Sequence, residues 1–412
     1  MLIIYRVIIN FIFLLSPLII IIRLIKKKED IKRFKEKFCL FSKVRKKGEL
    51  LWFHGASVGE LLSVVPILEK LEKNNKIKQI LVTSNTLSSS IILEKYKFKK
   101  ITHQFFPIDT NFFCKKFLNY WKPSSVIFID SEIWPNMIFN LNKRKISINI
   151  VNARITRKTF CKWKIFPNFS KKIFGKINLC ISSSIESQNY LKKLGVRKIK
   201  FFGNLKFSQS ENEIFKINNE LKNFIKKKKS WCASSTHYPE ENFCGLVHNS
   251  LKKKYKNLLT IIIPRHIDRV SQIEQDLKKL NLKVHLHESK KIIDQDTDVY
   301  IVNSFGKTKA FYYNCKNVFL GGSLINRGGQ NPLEAARFGC NILHGPNVQN
   351  FKDIYSFLKT NNISSKINNQ INTVKVLDRF LVKKKNLNNK QNKLKIIGKK
   401  ILEKTYIELK LQ

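Results

Sequence analysis

Leu50-Leu51-Trp52-Phe53-His54-Gly55-Ala56-Ser57-Val58-Gly59-Glu60 is the stretch on which the fold turns. Leu50–His54 carries no acidic or lysine side chain and reads as a strand covered on both faces, as in a parallel sheet. Gly55 to Gly59 are small enough for a tight turn. Leu61, Val64, Val65, Leu68 and Leu71 then recur at helical spacing. Strand, glycine turn and amphipathic helix together form the opening unit of a doubly wound α/β sheet. Small residues here let backbone N–H groups approach a ligand at a helix N-terminus, where anions are favoured. Glu60 falls in the first helical turn, as a general base or as a complement to the helix dipole. Pro66 predicts a kink or a later helix start.

Working outward, the same alternation continues. Strands are expected at 79–83, 125–130, 146–151 and 177–182. After a basic, polar stretch at 211–229 the pattern restarts with 231–234, Leu258–Pro264, 283–287, 299–303, 318–322 and 341–345. Uncharged strands alternating with helices predict two parallel sheets, hence two Rossmann-like domains facing a cleft, with ligands at the carboxyl ends of the strands. The expected division is a membrane-anchor helix at 1–26, a first domain at 27–210, a second at 211–385 and a basic C-terminal helix at 386–412. No internal repeat is evident, and the tail beyond Val374 carries no chemical signal.

The length of 412 residues suits two or three domains, and 43% hydrophobic with 11% aromatic residues excludes a disordered chain. A net charge of +49 favours an anionic membrane or a phosphorylated substrate. The accompanying excess of Lys, Ile, Asn and Phe also fits simple compositional bias. The eight cysteines form no CxxC pair, which points to a reducing compartment without structural zinc. His285-Leu286-His287-Glu288 is the closest approach to a metal-ligand cluster and reads as a solvated strand.

Residues 2–25 are strongly apolar. The cleanest run, 7–22, spans about 24 Å as a helix, short of a full bilayer core, and crosses one only if Arg6 and Arg23 snorkel. Lys26, Lys27, Lys28, Lys32, Arg33, Lys35 and Lys37 follow it, which keeps the rest of the chain cytoplasmic. An unusually apolar buried helix is the other reading.

Further along, Asp130-Ser131-Glu132-Ile133-Trp134-Pro135-Asn136 puts two acids at a strand end, either in a binding wall or as caps of the next helix. Gly203-Asn204-Leu205-Lys206-Phe207 is a turn bearing a lysine. Pro264-Arg265-His266 places a guanidinium where a phosphate could sit. Gly321-Gly322-Ser323, followed by Arg327-Gly328-Gly329-Gln330-Asn331-Pro332-Leu333-Glu334, is a glycine-rich loop entering a helix. In it, Asn331 can cap and Glu334 can bind ribose hydroxyls.

Taken in order, these motifs, with Asn152-Ala153-Arg154 and Ser235-Thr236-His237, resemble the Kdo (3-deoxy-D-manno-octulosonic acid) transferases of lipopolysaccharide synthesis over nearly the whole chain. The resemblance implies a GT-B fold and an inverting transfer of Kdo from CMP-Kdo to a lipid A precursor, with no cofactor or metal. It also implies an inner-membrane location with the catalytic domains cytoplasmic, beside anionic lipids. Glu60 becomes the general base, and Asp130 and Lys206 stabilise the transition state. Pro264, Arg265, Phe305, Gly306, Lys307, Asn331, Pro332, Leu333 and Glu334 match CMP-contacting stretches. Asp130 stands where the family usually has glutamate, and Phe305-Gly306-Lys307 where it usually has Met-Gly-Glu. The alternatives are a transferase or epimerase using a UDP-sugar and a basic nucleic-acid-binding protein. The latter lacks a recognisable module or stacking platform, so no nucleic acid partner is expected.

Overall fold

The computed structural model describes residues 1–209, 217–287, 292–382 and 387–411, with backbone only at 387–390. Glu288 and the expected boundaries at 210/211 and 385/386 lie outside these residues. The contacts divide the chain into one unit of Met1–Gln209 with Ile397–Gln412 and another of Ser210–Ile396.

In the first unit the strands are β1 (Leu50–His54), β2 (Gln79–Ser84), β3 (Ile101–Phe105), β4 (Ser125–Ile129), β5 (Ser147–Ala153), β6 (Leu179–Ser182) and β7 (Ile199–Phe201). They form one sheet in the order β3-β2-β1-β4-β5-β6-β7, and every pairing is parallel. The order reverses between β1 and β4, the switch point where such sheets bind ligands. All of β1 is buried, with Trp52 packed against Phe106, Phe117 and Phe128. That burial on both faces is why the strand reads as a continuous apolar run.

The second unit holds β8 (Lys229–Thr236), β9 (Leu258–Pro264), β10 (Val284–Leu286), β11 (Val299–Ile301), β12 (Asn317–Leu320), β13 (Asn341–His344) and β14 (Ser364–Lys366). Its order, β10-β11-β9-β8-β12-β13-β14, is again parallel throughout and reverses between β8 and β12. All seven residues of β9 are buried.

Three strands absent from the sequence expectation, β3, β7 and β14, are edge strands with polar residues, so no apolar run marks them. The helix Val58–Glu72 starts directly after Ser57 and continues through Pro66. The later start expected from Pro66 does not occur. Burial of Leu61, Val64, Val65, Ile67, Leu68 and Leu71 outweighs the one backbone bond a proline removes. All eight cysteines are free thiols, and only Cys161 is exposed.

Candidate functional site

Gly55 carries the chain out of β1 past the end of β4. A Cβ there would stand 3.1 Å from Ile129 and 3.2 Å from Glu60 and Leu61, so only glycine fits without movement. At Gly59 a Cβ would meet nothing within 4 Å, which leaves the helix start bare beside Glu60. Glu60 is half-buried. Its Oε2 accepts from the Ala56 N–H at 2.6 Å and the Ser57 N–H at 3.4 Å, and its Oε1 accepts from the Ser57 hydroxyl at 2.9 Å. This is the reciprocal contact of a capping box. Burial, then the negative charge of Glu132 and of Asp130, push its carboxyl up to about 7, against the Ser57 and Ala56 hydrogen bonds.

Asp130 directly follows β4 with φ +63°, a left-handed conformation tolerated by aspartate but strained. Its N–H donates to Val151 O and its carbonyl accepts from Arg154 N–H, which fixes the turn. The Ser131 hydroxyl donates to Oδ1 at 3.0 Å, and Lys206 Nζ stands 3.9 Å from Oδ2. Burial raises its carboxyl above the ordinary range, opposed first by Lys206. Neither Asp130 nor Ser131 caps the following helix. That helix begins at Pro135, and the buried Asp109 accepts the N–H groups of Asn136 and Met137. Pro135 sets the first helical φ, so the start falls four residues beyond Ser131.

Glu132 faces inward from the same loop. Its Oε2 accepts from Trp134 Nε1 at 2.8 Å and meets His54 Nε2 at 3.0 Å. A carboxylate oxygen only accepts, so Nε2 carries the hydrogen, while Nδ1 lies 2.9 Å from the Thr83 hydroxyl and 3.2 Å from the Thr83 carbonyl. His54 is buried and stacked on Phe106. The sequence assigned no role to His54 and read Glu132 only as one of two acids of a binding wall. Both stand at strand ends beside the switch point, and that position was the available signal.

Lys206 sits in the short turn Leu205–Ser208. Asn204 Oδ1 accepts from its N–H, and Asn152 Oδ1 accepts from Leu205 N–H at 3.0 Å. The C-terminal helix closes over this turn. A Cβ on Gly203 would meet Ile401 at 2.6 Å, and one on Gly398 would meet Phe207 O at 2.3 Å. The tail that carried no chemical signal therefore shapes the loop bearing Lys206.

In the second unit the loops after β8 and β12 are joined by Glu240, a buried carboxylate. Its oxygens accept the N–H groups of His237, Gly322, Ser323 and Leu324 at 2.7–3.1 Å. Gly321 and Gly345 are required: a Cβ would come within 2.5 Å of Ser235 O and 2.1 Å of Ser323 O respectively. Arg265 is exposed after β9, anchored through its N–H to Thr236 O. His237 and His266 lie with ring centroids 5.6 Å apart. Burial first, then His266 and Arg327, hold the His237 imidazole below the usual histidine range. Of these basic groups, the sequence assigned a role to Arg265 alone.

Phe305, Gly306 and Lys307 are exposed beyond β11, with Gly306 at φ +78°. Asn331 Oδ1 accepts from Leu333 N–H at 3.1 Å, but Pro332 occupies the N-cap, so Asn331 is not the expected cap and Pro332 is not the expected first helical residue. Pro332 precedes the helix, and Leu333–Arg337 spans only five residues. Glu334 is half-buried in its first turn. Among the described residues no cluster of three or more His, Cys, Asp or Glu could hold a metal ion. His285 instead stacks on Tyr300, and His287 Nδ1 meets Tyr300 Oη at 2.9 Å.

Two parallel doubly wound units, each with polar groups gathered at its switch point, define the GT-B fold class. A UDP-GlcNAc 2-epimerase from Neisseria meningitidis solved with UDP-GlcNAc shares the fold at a TM-score of 0.55 and 14% identity, over 86% of this chain and 100% of that one. Residues 32–209 match the family model described as 3-deoxy-D-manno-octulosonic-acid transferase (kdotransferase). A transferase of that name from Rickettsia bellii is 35% identical over 350 residues, covering 83% of this chain and 82% of the relative. Another from Haemophilus influenzae is 28% identical, covering 75% and 73%. The chain belongs to the Kdo transferase family of glycosyltransferases.

Proposed function

We propose that the protein transfers Kdo from CMP-Kdo to a sugar hydroxyl of a lipid A precursor, with inversion, during lipopolysaccharide assembly. The observation that carries this reading is Glu60, a half-buried carboxyl raised to about 7 at a bare helix start, beside the acids Asp130 and Glu132. A base of that pKa is poised for proton abstraction near neutrality. Oε2 is held by two N–H groups, and Oε1, which holds one hydroxyl, takes the acceptor's proton. The acceptor oxygen then bonds to the anomeric carbon of Kdo while the bond to the CMP phosphate breaks and the phosphate keeps the electron pair. A single displacement inverts that centre. Arg265 neutralises the phosphate charge as it develops, and Lys206, held by Asp130, serves the reacting sugar. Glu334 takes the ribose hydroxyls. Phe305, Gly306 and Lys307 border the nucleotide, with backbone contacts at Gly306 and no carboxylate at Lys307.

The N-terminal helix attaches the chain to the inner membrane, with its catalytic units cytoplasmic. Its mean hydropathy and length suffice to cross a bilayer. Incubating the full chain with CMP-Kdo and a tetraacyl lipid A precursor, and measuring the product mass, tests the reading. The expected result is a gain of whole Kdo residues with release of CMP. Release of CMP without a heavier lipid would overturn the choice of acceptor.

A further inference from the structure

The helix Leu2–Ile25 does not leave the first unit. Its covered positions are Leu2, Tyr5, Arg6, Ile9, Phe13, Ser16, Ile20, Arg23 and Leu24. They recur every three or four residues, so one face is seated along the whole helix. Near its start, Tyr5 Oη donates to the buried Asp109 at 2.7 Å, and Arg6 donates to Asn136 Oδ1 at 3.0 Å and Asn111 Oδ1 at 3.3 Å. Midway, Phe13 packs edge-on against Phe38 and Phe113. Near the end, Arg23 pairs with the buried Glu29. Tyr5 and Arg23 are separated by about 27 Å of helix, and both are bound to the same domain. Arg6 and Arg23 thus face domain partners rather than snorkelling toward two bilayer interfaces.

The opposite face is apolar and open: Val7, Phe11, Leu14, Leu18, Ile21 and Ile25 are 53–76% exposed. Lys26, Lys27 and Lys28 at its end are exposed. So are Phe112, Lys115 and Lys116 on Asn111–Trp121, the helix that receives Phe13. An apolar face bordered by lysines fits the headgroup boundary of an anionic leaflet.

We infer that the N-terminal helix lies in the plane of the membrane as a strip of the first unit's own surface, dipping its exposed face into one anionic leaflet without crossing it. Crossing would strip Asp109 of the Tyr5 hydroxyl, unseat Phe13, Ser16 and Ile20, and part Arg23 from Glu29. This rests on the membrane attachment proposed above, and two measurements separate the two ideas.

An epitope tag placed before Met1 of the full chain should resist protease added to spheroplasts and be removed in inverted vesicles. A tag cleaved in spheroplasts would overturn the in-plane arrangement and leave attachment standing. Purified full chain should float with vesicles of phosphatidylethanolamine and phosphatidylglycerol. Leu14→Asn with Leu18→Asn should lower the bound fraction roughly tenfold or more, because each loses a buried leucine's transfer energy. A chain that stays unbound as a dimer, its apolar face covered by a second copy, would overturn attachment and orientation together.

Discussion

The two units share a scaffold and differ in polarity. Each is a parallel seven-stranded sheet that reverses order beside its first strand. In the first, the loops at the reversal carry Glu60, Asp130 and Glu132, and the cations acting on Asp130 are Lys206, from the turn after β7 at 3.9 Å, and Arg154. In the second, the corresponding loops carry Arg265, His237, His266 and Arg327. Glu240, the carboxylate that joins the loops after β8 and β12, is consumed by four backbone N–H groups. Burial first, and the neighbouring acids after it, raise Glu60 into a range useful for taking protons, whereas gathered cations suit an anion that leaves. One fold supports both because chemistry resides in the residues after the strands and not in the sheet.

The comparison is broken most severely at Glu60. Glu60→Gln keeps the Ala56 and Ser57 contacts in shape but removes the base, so turnover should fall roughly 10²–10⁴-fold. CMP affinity, which the proposed mechanism assigns to the other unit, should not change. If Glu60 acts only as a helix cap, the same variant instead loses about 0.3–1 kcal/mol of stability and keeps its turnover. Steady-state kinetics and melting of one preparation distinguish these outcomes.

Arg265→Ala is the mirror test. Loss of a charge-assisted phosphate contact should weaken CMP binding by about 1.5–3 kcal/mol with the melting temperature preserved, as read by calorimetry. Unchanged affinity would remove Arg265 from the phosphate.

A smaller effect sharpens the electrostatic half of the contrast. A general base works deprotonated, so turnover should rise with pH through about 7 and then level. Glu132 is the second-largest cause of that elevation, so Glu132→Gln should move the limb to lower pH. For stability the sign is opposite. A carboxyl raised from 4.5 to about 7 in the folded chain binds its proton more tightly there, so its contribution is full below 4.5 and fades as pH rises to 7. An unmoved limb in Glu132→Gln would remove Glu132 from the causes and leave burial and Asp130.

The smallest effect concerns the C-terminal helix. Lys70 and Glu403 pair at 2.7 Å with both side chains about two-fifths exposed, so Lys70→Met should change unfolding free energy by less than about 1 kcal/mol. A larger loss in urea titration would mean that this ion pair, more than Ile401 against Gly203, holds the helix over Lys206.

Much of this was legible in the amino-acid order alone. Strands buried on both faces announce themselves as uncharged runs, so β1 and β9 were readable to the residue. Gly55 and Gly321 mark turns where a side chain would collide, and the order of the short motifs identified the family before any geometry. The sequence by itself thus determined the parallel sheets, the turns that follow them and the kind of chemistry at their ends. The edge strands β3, β7 and β14 were hidden because an edge needs no apolar run. Long-range placement decided the rest: Glu132 beside His54, Glu240 beneath two loops, Ile401 against Gly203, and an apolar helix bound along its length to Asp109, Phe113 and Glu29. Those pairings join residues up to about two hundred positions apart, and no local propensity or spacing encodes them. They follow from which buried polar group must find a partner once the core has closed.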